Sequence, residues 1–152
     1  MGIHVLRKTQ VIKSTVAAAW DFFSNPNNLA KITPKELDFV VFTDLPARVY
    51  PGLMIEYRVR PLFGIPARWL TEITHVEDGS FFVDEQRVGP YKIWHHEHHF
   101  KDLGDGRVEL IDIVTYVIPF GILGEIVRPF LVEPQLMKIF NHREKAVAEL
   151  FA

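Results

Sequence analysis

The sequence contains no cysteine, which excludes disulfides, Cys-bound zinc and thiol catalysis and suits a reducing cytosol. Neither charge is in excess, with 17 Lys+Arg against 19 Asp+Glu and a net charge of −2. Nucleic-acid binding needs a basic face that displaces counterions, so no nucleic-acid partner is expected. There is no apolar run of about 20 residues, the length of a membrane span. Met1 to Lys13 alternates and carries charge, unlike the apolar centre of a secretion signal. A cytoplasmic location follows as the expectation. Repeats, low-complexity tracts and linkers are also missing, so residues 1–152 read as one domain. What is present is apolar mass: 48% hydrophobic residues, among them 12 Phe, 4 Tyr and 3 Trp. That fills one core, in a chain too short for two ordinary domains.

Residues 3–12 alternate as a strand. Ser14 reads as the N-cap of a short helix over Val16 to Phe23, ended by Asn25-Pro26. A second short helix over Pro26 to Ile32 stops before Pro34, since the residue preceding proline avoids the α region. The period then becomes two. Strands are expected near 38–43, 53–60, 66–76, 81–88, 91–101 and 107–118, with turns such as Pro51-Gly52, Asp78-Gly79 and Gly104-Asp105-Gly106 between them. Leu136, Ile139, Phe140, Arg143, Val147 and Leu150 return at helical spacing, one face of a long helix. Residues 122–132 form a separate helix or the same one kinked at Pro129. Seven mostly antiparallel strands should twist and curl, and a curled sheet can grip that helix. An incomplete fit leaves a cavity.

The stretch Trp94-His95-His96-Glu97-His98-His99-Phe100 is the most informative. Alternation puts Trp94, His96, His98 and Phe100 on one face and His95, Glu97 and His99 on the wetter one. Two inward histidines need partners, because an unpartnered buried polar group costs about 1–3 kcal/mol. A three-residue hairpin loop at Gly104-Asp105-Gly106 sets Phe100 opposite Leu110, His98 opposite Asp112, His96 opposite Val114 and Trp94 opposite Tyr116. A two-residue loop at Asp78-Gly79 puts Trp69, Thr71 and Ile73 on a face with Val88, Gln86 and Asp84. The inner surface so assembled is Trp69, Asp84, Gln86, Trp94, His96, His98, Asp112 and Tyr116.

Two readings of this surface stand side by side. The His–Asp pair is a satisfied core pair, or it is the polar part of an otherwise apolar ligand cavity. A metal site is the sharper alternative, since His96-x-His98 turns two imidazoles to one side. Only two histidines face inward, however, and no third ligand follows at strong spacing, Glu109 coming too late. Neither metal nor other cofactor is expected. Catalytic signatures are absent, with no Gly-x-Ser-x-Gly elbow, phosphate loop or dinucleotide fingerprint. The apolar loop Pro61-Leu62-Phe63-Gly64-Ile65-Pro66 reads equally as packed on the core or as a lid.

Trp69, the run Phe82-Val83-Asp84-Glu85-Gln86, Gly89-Pro90-Tyr91, Trp94-x-His96-x-His98-x-Phe100, Asp112, Tyr116, Pro119-Phe120-Gly121 and Ile139-Phe140-x-x-Arg143 resemble the SRPBCC-type ligand-binding superfamily. This is the START and birch-pollen-allergen-like group, which includes polyketide cyclases. The resemblance spans nearly the whole chain and is strongest to a cell-division-inhibitor-like subgroup. It implies an α+β helix-grip fold, a curved seven-stranded antiparallel sheet around a long C-terminal helix with two short helices after strand 1. It also implies a small hydrophobic ligand. Some relatives are fused to an epimerase-like domain, so a separate partner of that kind is implied here.

The leading functional expectation is a binding protein for a small, largely apolar molecule, oriented by His96, His98, Gln86 and Asp84. The alternative is a cyclase- or dehydratase-type enzyme. His98 and Asp112 would then be the acid–base pair and Tyr116 the donor to a developing oxyanion. Arg143 falls within the apolar stripe of the last helix, where a charge is costly unless paired. Asp84, Glu85 or Asp112 is its expected partner, and snorkelling outward is the other outcome.

Overall fold

The computed structural model describes residues 1–152. Strand β1 (His4–Lys13) leads to helix α1 (Val16–Phe23) and two 3₁₀ turns, Pro26–Ile32 and Lys35–Leu37. The strands β2 (Val40–Val41), β3 (Met54–Leu62), β4 (Ile65–Glu77), β5 (Phe81–Val88), β6 (Ile93–Gly104) and β7 (Arg107–Val117) follow. Helix α2 (Gly121–Val127) continues through a π-helical stretch, Arg128–Val132, into α3 (Glu133–Leu150). All seven strands form one antiparallel sheet in the order β1-β7-β6-β5-β4-β3-β2. The sheet and α3 together make the α+β helix-grip architecture expected above.

Differences from the sequence reading are local, and each has a cause. The cap of α1 is Thr15, not Ser14, because the Thr15 hydroxyl accepts from Ala18 N at 3.2 Å. The second helix is 3₁₀, capped by Asn25 with Pro26 at its start. The strand expected over 38–43 shrinks to Val40–Val41, since Asp38 turns left-handed at φ 47°. The 61–66 loop is a tight turn, with Leu62 paired to Ile65 and only Phe63-Gly64 at the tip. Pro129 explains the π stretch: it lacks an N–H and its ring crowds the preceding turn, which a wider turn relieves. On α3, Leu136, Phe140 and Val147 are buried, but Leu150 is exposed. Phe151 instead packs on Phe22 and Phe23.

Two apolar clusters hold the helices to the sheet. One gathers Trp20, Phe82, Phe100, Val108 and Val147 around α1. The other joins Val114, Tyr116 and Ile118 to Leu136 and Phe140 of α3. The inward histidines sit where the two meet. The His98 ring stacks on Phe82 at 4.2 Å, and His96 meets Phe140 edge-on at 5.8 Å.

Candidate functional site

Between sheet and α3 lies a cavity of about 230 Å³. Aromatic rings wall it: Tyr57 stacks on Trp69 at 5.9 Å, and Trp94 meets Trp69 edge-on at 5.5 Å. Register explains the wall, because Tyr57 pairs with Trp69 across β3 and β4, and inward positions alternate along each strand. Ile139, Phe140 and Arg143 of α3 form the opposite side, and Leu29, Ile32 and Phe39 close a third.

Of the residues singled out from sequence, Trp69, Asp84, Trp94, His96 and His98 line this cavity. The expected β6–β7 register holds, with Trp94 opposite Tyr116, His96 opposite Val114, His98 opposite Asp112 and Phe100 opposite Leu110. The turn itself differs. Gly104 pairs with Arg107 and a bulge absorbs the offset, so the loop is Asp105-Gly106. On the other hairpin, Thr71 opposes Gln86 and Ile73 opposes Asp84 as expected, but bulges on either side shift Val88 to Leu70.

Gln86, Asp112 and Tyr116 do not line the cavity. The Gln86 amide donates to Tyr91 O at 2.6 Å and accepts from Tyr91 N at 3.0 Å, clamping the β5–β6 loop. Gly89 permits this, since a Cβ there would lie 2.4 Å from the Gln86 side chain. Tyr116 is buried under α3, with its ring beside His4 and Tyr91. It is therefore not placed to meet a developing oxyanion in the cavity. Asp112 stands behind the histidines, facing a small cleft lined by Lys8, Gln10 and Arg143.

Sequence reasoning placed Asp112 on His98, its opposite neighbour. The bonds run diagonally instead: His96 Nε2 to Asp112 Oδ1 at 2.8 Å, and His98 Nε2 to Asp84 Oδ2 at 2.6 Å. Directly opposite residues stand too close for the far ring nitrogen, whereas diagonal neighbours at about 7–8 Å suit its reach. Each carboxylate still feels both rings. His98 Nδ1 is 3.3 Å from Asp112 Oδ1, and His96 Nδ1 is 3.7 Å from Asp84 Oδ2. Arg143 completes the group, its Nη2 3.6 Å from Asp112 Oδ1 and its guanidinium over the Phe23 ring. Glu85, the third suggested partner of Arg143, faces outward and binds His95 and Arg87.

Five ionisable side chains thus share one buried space, and charge counting sets their states. Two carboxylates and one guanidinium leave −1, which a single imidazolium cancels. Burial opposes every charge here, but the neighbours decide. Burial pulls His98 down, and contacts with Asp112 and Asp84 more than reverse it, holding its pKa above the ordinary value. Burial and the neighbouring imidazolium of His98 push His96 below its ordinary value. Burial would raise both acids, yet Arg143 and the imidazoles hold Asp112 well below, and the imidazoles with Arg143 hold Asp84 below, the usual range. At about pH 6.5, the ordinary histidine value, imidazole ¹⁵N spectra should show His98 mostly doubly protonated and His96 mostly neutral with its proton on Nε2. Two neutral rings would contradict this charge balance. The His98 contribution to stability should be complete below about pH 6.5 and vanish as pH rises through its higher folded value.

Sequence spacing offered two inward metal donors, His96 and His98, and the structure holds three. A third inward donor exists after all, because Asp84, His96 and His98 hold candidate ligand atoms within 4.8 Å of one another. The β4–β5–β6 register, not local spacing, supplies it. In the charge state argued above both Nε2 atoms donate to carboxylates, and the nearby guanidinium opposes a further cation.

Tyr57 and Arg143 were missing from the residues expected to bind ligand. The inward alternation Ile55, Tyr57, Val59 carried the signal for Tyr57, but reading 61–66 as a loop hid its pairing with Trp69. Burial strongly raises the Tyr57 phenol, so it stays protonated, 3.4 Å from the Thr71 hydroxyl.

No protein-family profile and no curated protein matches the chain. Solved structures do match. The Zhui aromatase/cyclase from Streptomyces sp. R1128 superposes with a TM-score of 0.77 at 12% identity, over 97% of this chain and 93% of that one. A START superfamily protein from Mycobacterium smegmatis gives 0.71 at 13% identity, over 97% and 99%. A norcoclaurine synthase point mutant from Thalictrum flavum, in complex with a transition-state analogue, gives 0.70 at 14%, over 99% and 98%. Identities this low bear on the fold alone, and the fold of this chain is that of START-like helix-grip proteins.

Proposed function

We propose that the protein binds a small, largely apolar molecule in the cavity between sheet and α3, and that Trp69 and the histidine cluster read its polar group. The observation that carries this is an unpartnered donor. Trp69 lines the cavity, yet its buried Nε1–H has no hydrogen-bond partner within the protein. Such a group costs about 1–3 kcal/mol, which a small turn of the indole toward a ligand oxygen would recover. Stacked and edge-on rings around it suit a flat or cyclic body. The motif resemblance adds the cell-division-inhibitor-like subgroup, and with it an epimerase-like partner, to this proposal. Native mass spectrometry and thermal-shift screening of cyclic ketones and phenols should find a ligand. Trp69→Phe keeps the wall and deletes the donor, so it should weaken binding about tenfold. An unchanged affinity in both Trp69→Phe and Trp94→Ala would sink the cavity site.

Catalysis is the second reading, and one feature favours it. His98 lines the cavity with a carboxylate on each side, and its Nδ1 has no hydrogen bond. If a bound molecule draws the ring round so that Nδ1 meets the cavity, an imidazole held this way can relay a proton near neutral pH. Asp84, which holds His98 Nε2, then replaces Asp112 as the orienting acid. Conversion of a bound ketone with a pH profile lost in His98→Gln marks an enzyme, whereas a carrier returns the compound unchanged.

A further inference from the structure

Exposed apolar side chains are concentrated at one end of the molecule. Antiparallel pairing brings the start of β1, the β3–β4 turn, the β5–β6 loop and the end of β7 to that same end. Phe63 and Ile65 at the β3–β4 turn are exposed, and so are Phe120, Ile122, Leu123 and Phe130 after β7. Scattered apolar residues are ordinary on a surface, but a set this dense at one end marks an interaction site. Two of them also sit in an unusual backbone conformation. Four non-glycine residues have positive φ: Asp38, Phe63, Asp105 and Phe120. Aspartate tolerates the left-handed region, whereas a bulky ring there is disfavoured. The two phenylalanines held this way are 79% and 81% exposed. The tight β3–β4 turn requires positive φ at Phe63 and Gly64, but asparagine or glycine would meet that need without strain; a large exposed ring at such a position gains nothing for folding and points to contact with something else.

We propose that this end of the molecule docks on the surface of a zwitterionic lipid bilayer, with Phe63, Phe120 and Phe130 entering its outer apolar layer. The rings project from separate segments. A bilayer receives such tips without a complementary surface, which a protein partner would have to supply. Charge fits the same occupant. Arg128 is paired with Glu125 and Glu133, and Arg60 shares Asp38 with Arg58, while Lys92 of the β5–β6 loop is exposed with no carboxylate partner; this is short of the basic cluster that selects anionic lipid. Pro61, near the end of β3, and Tyr91 of the β5–β6 loop line the cavity. Docking itself does not depend on the cavity being filled.

Co-sedimentation of the full chain with phosphatidylcholine vesicles tests this. Phe63→Asn and Phe120→Asn put a residue that tolerates positive φ at each tip, so folding should survive, as a urea midpoint will show. Each should lower the vesicle partition coefficient by roughly tenfold or more, the effect of one aromatic ring leaving the lipid. Phe130→Ser is an independent third tip with ordinary backbone. Tyr50→Ser, on an exposed residue at the opposite end, should change nothing, and 0.5 M salt should change little. Wild-type protein that stays in solution would overturn the proposal, as would binding unaffected by all three tip variants or abolished by salt. So would a concentration-dependent dimer in sedimentation velocity that the tip variants dissolve while vesicles bind neither form, which would make this end a contact between copies.

Discussion

Arg143→Met should destabilise the protein by about 3–5 kcal/mol, the cost of leaving a buried charge without its partner. The guanidinium is the permanent cation in the cluster and lies 3.6 Å from Asp112 with its side chain 16% exposed. Without it, two carboxylates share one imidazolium and a net negative charge stays buried. The variant can relieve this by charging His96, whose bonded partner Asp112 no longer has the guanidinium to offset its charge. Its deficit should therefore be largest above neutrality and shrink as pH falls below about 6.5, the ordinary histidine value. Urea titrations at pH 5.5 and 8 measure both effects. A midpoint shift worth less than about 0.5 kcal/mol would mean that Arg143 behaves as a surface residue. Asp112→Asn in the same background should cost less than in wild type, since the two side chains act on each other.

Phe82→Ala is the second large effect, expected at about 3–5 kcal/mol from lost burial and the space left behind. The ring is buried, stacks on His98 and meets Trp20 edge-on at 6.0 Å. It also forms part of the cavity wall. Its loss should thus enlarge the cavity and free the His98 ring to tilt. In the imidazole spectra the Asp84–His98 bond should loosen, so the exchange of the His98 Nε2 proton should quicken. Phe82→Leu keeps most of the volume and should cost clearly less. Equal costs for Ala and Leu would show that the site collapses and that no wall is lost.

Much of the fold was legible because it follows from local periodicity. The change from period two to period 3.6 set the order of strands and helices, and Val16 to Phe23 emerged with its observed ends. Turn chemistry then carried the β6–β7 register. A glycine-flanked aspartate permits few hairpin loops, and a one-residue slip would turn His96 and His98 to the outer face. The Pro61 to Pro66 segment misled for the converse reason. Two prolines suggest a loop, yet both are tolerated near a tight turn whose Phe63 and Gly64 take positive φ.

Sequence alone therefore determined the architecture, the inward face of β6 and the need for carboxylates beside two histidines. Those are properties of a strand and its nearest neighbours in the chain. Tertiary structure decided which carboxylate holds which ring, because a diagonal bond depends on the spacing of three strands and on how far an imidazole reaches. It likewise decided that Asp84 joins the cluster, that Gln86 clamps a loop and that Tyr116 lies under α3. Arg143 was visible as a charge in an apolar stripe, but only packing of α3 across the sheet could choose Asp112 over Asp84 and Glu85. The cavity is the clearest case of this kind: it is the volume left where a curved sheet and a straight helix fail to meet, and no residue encodes it by itself.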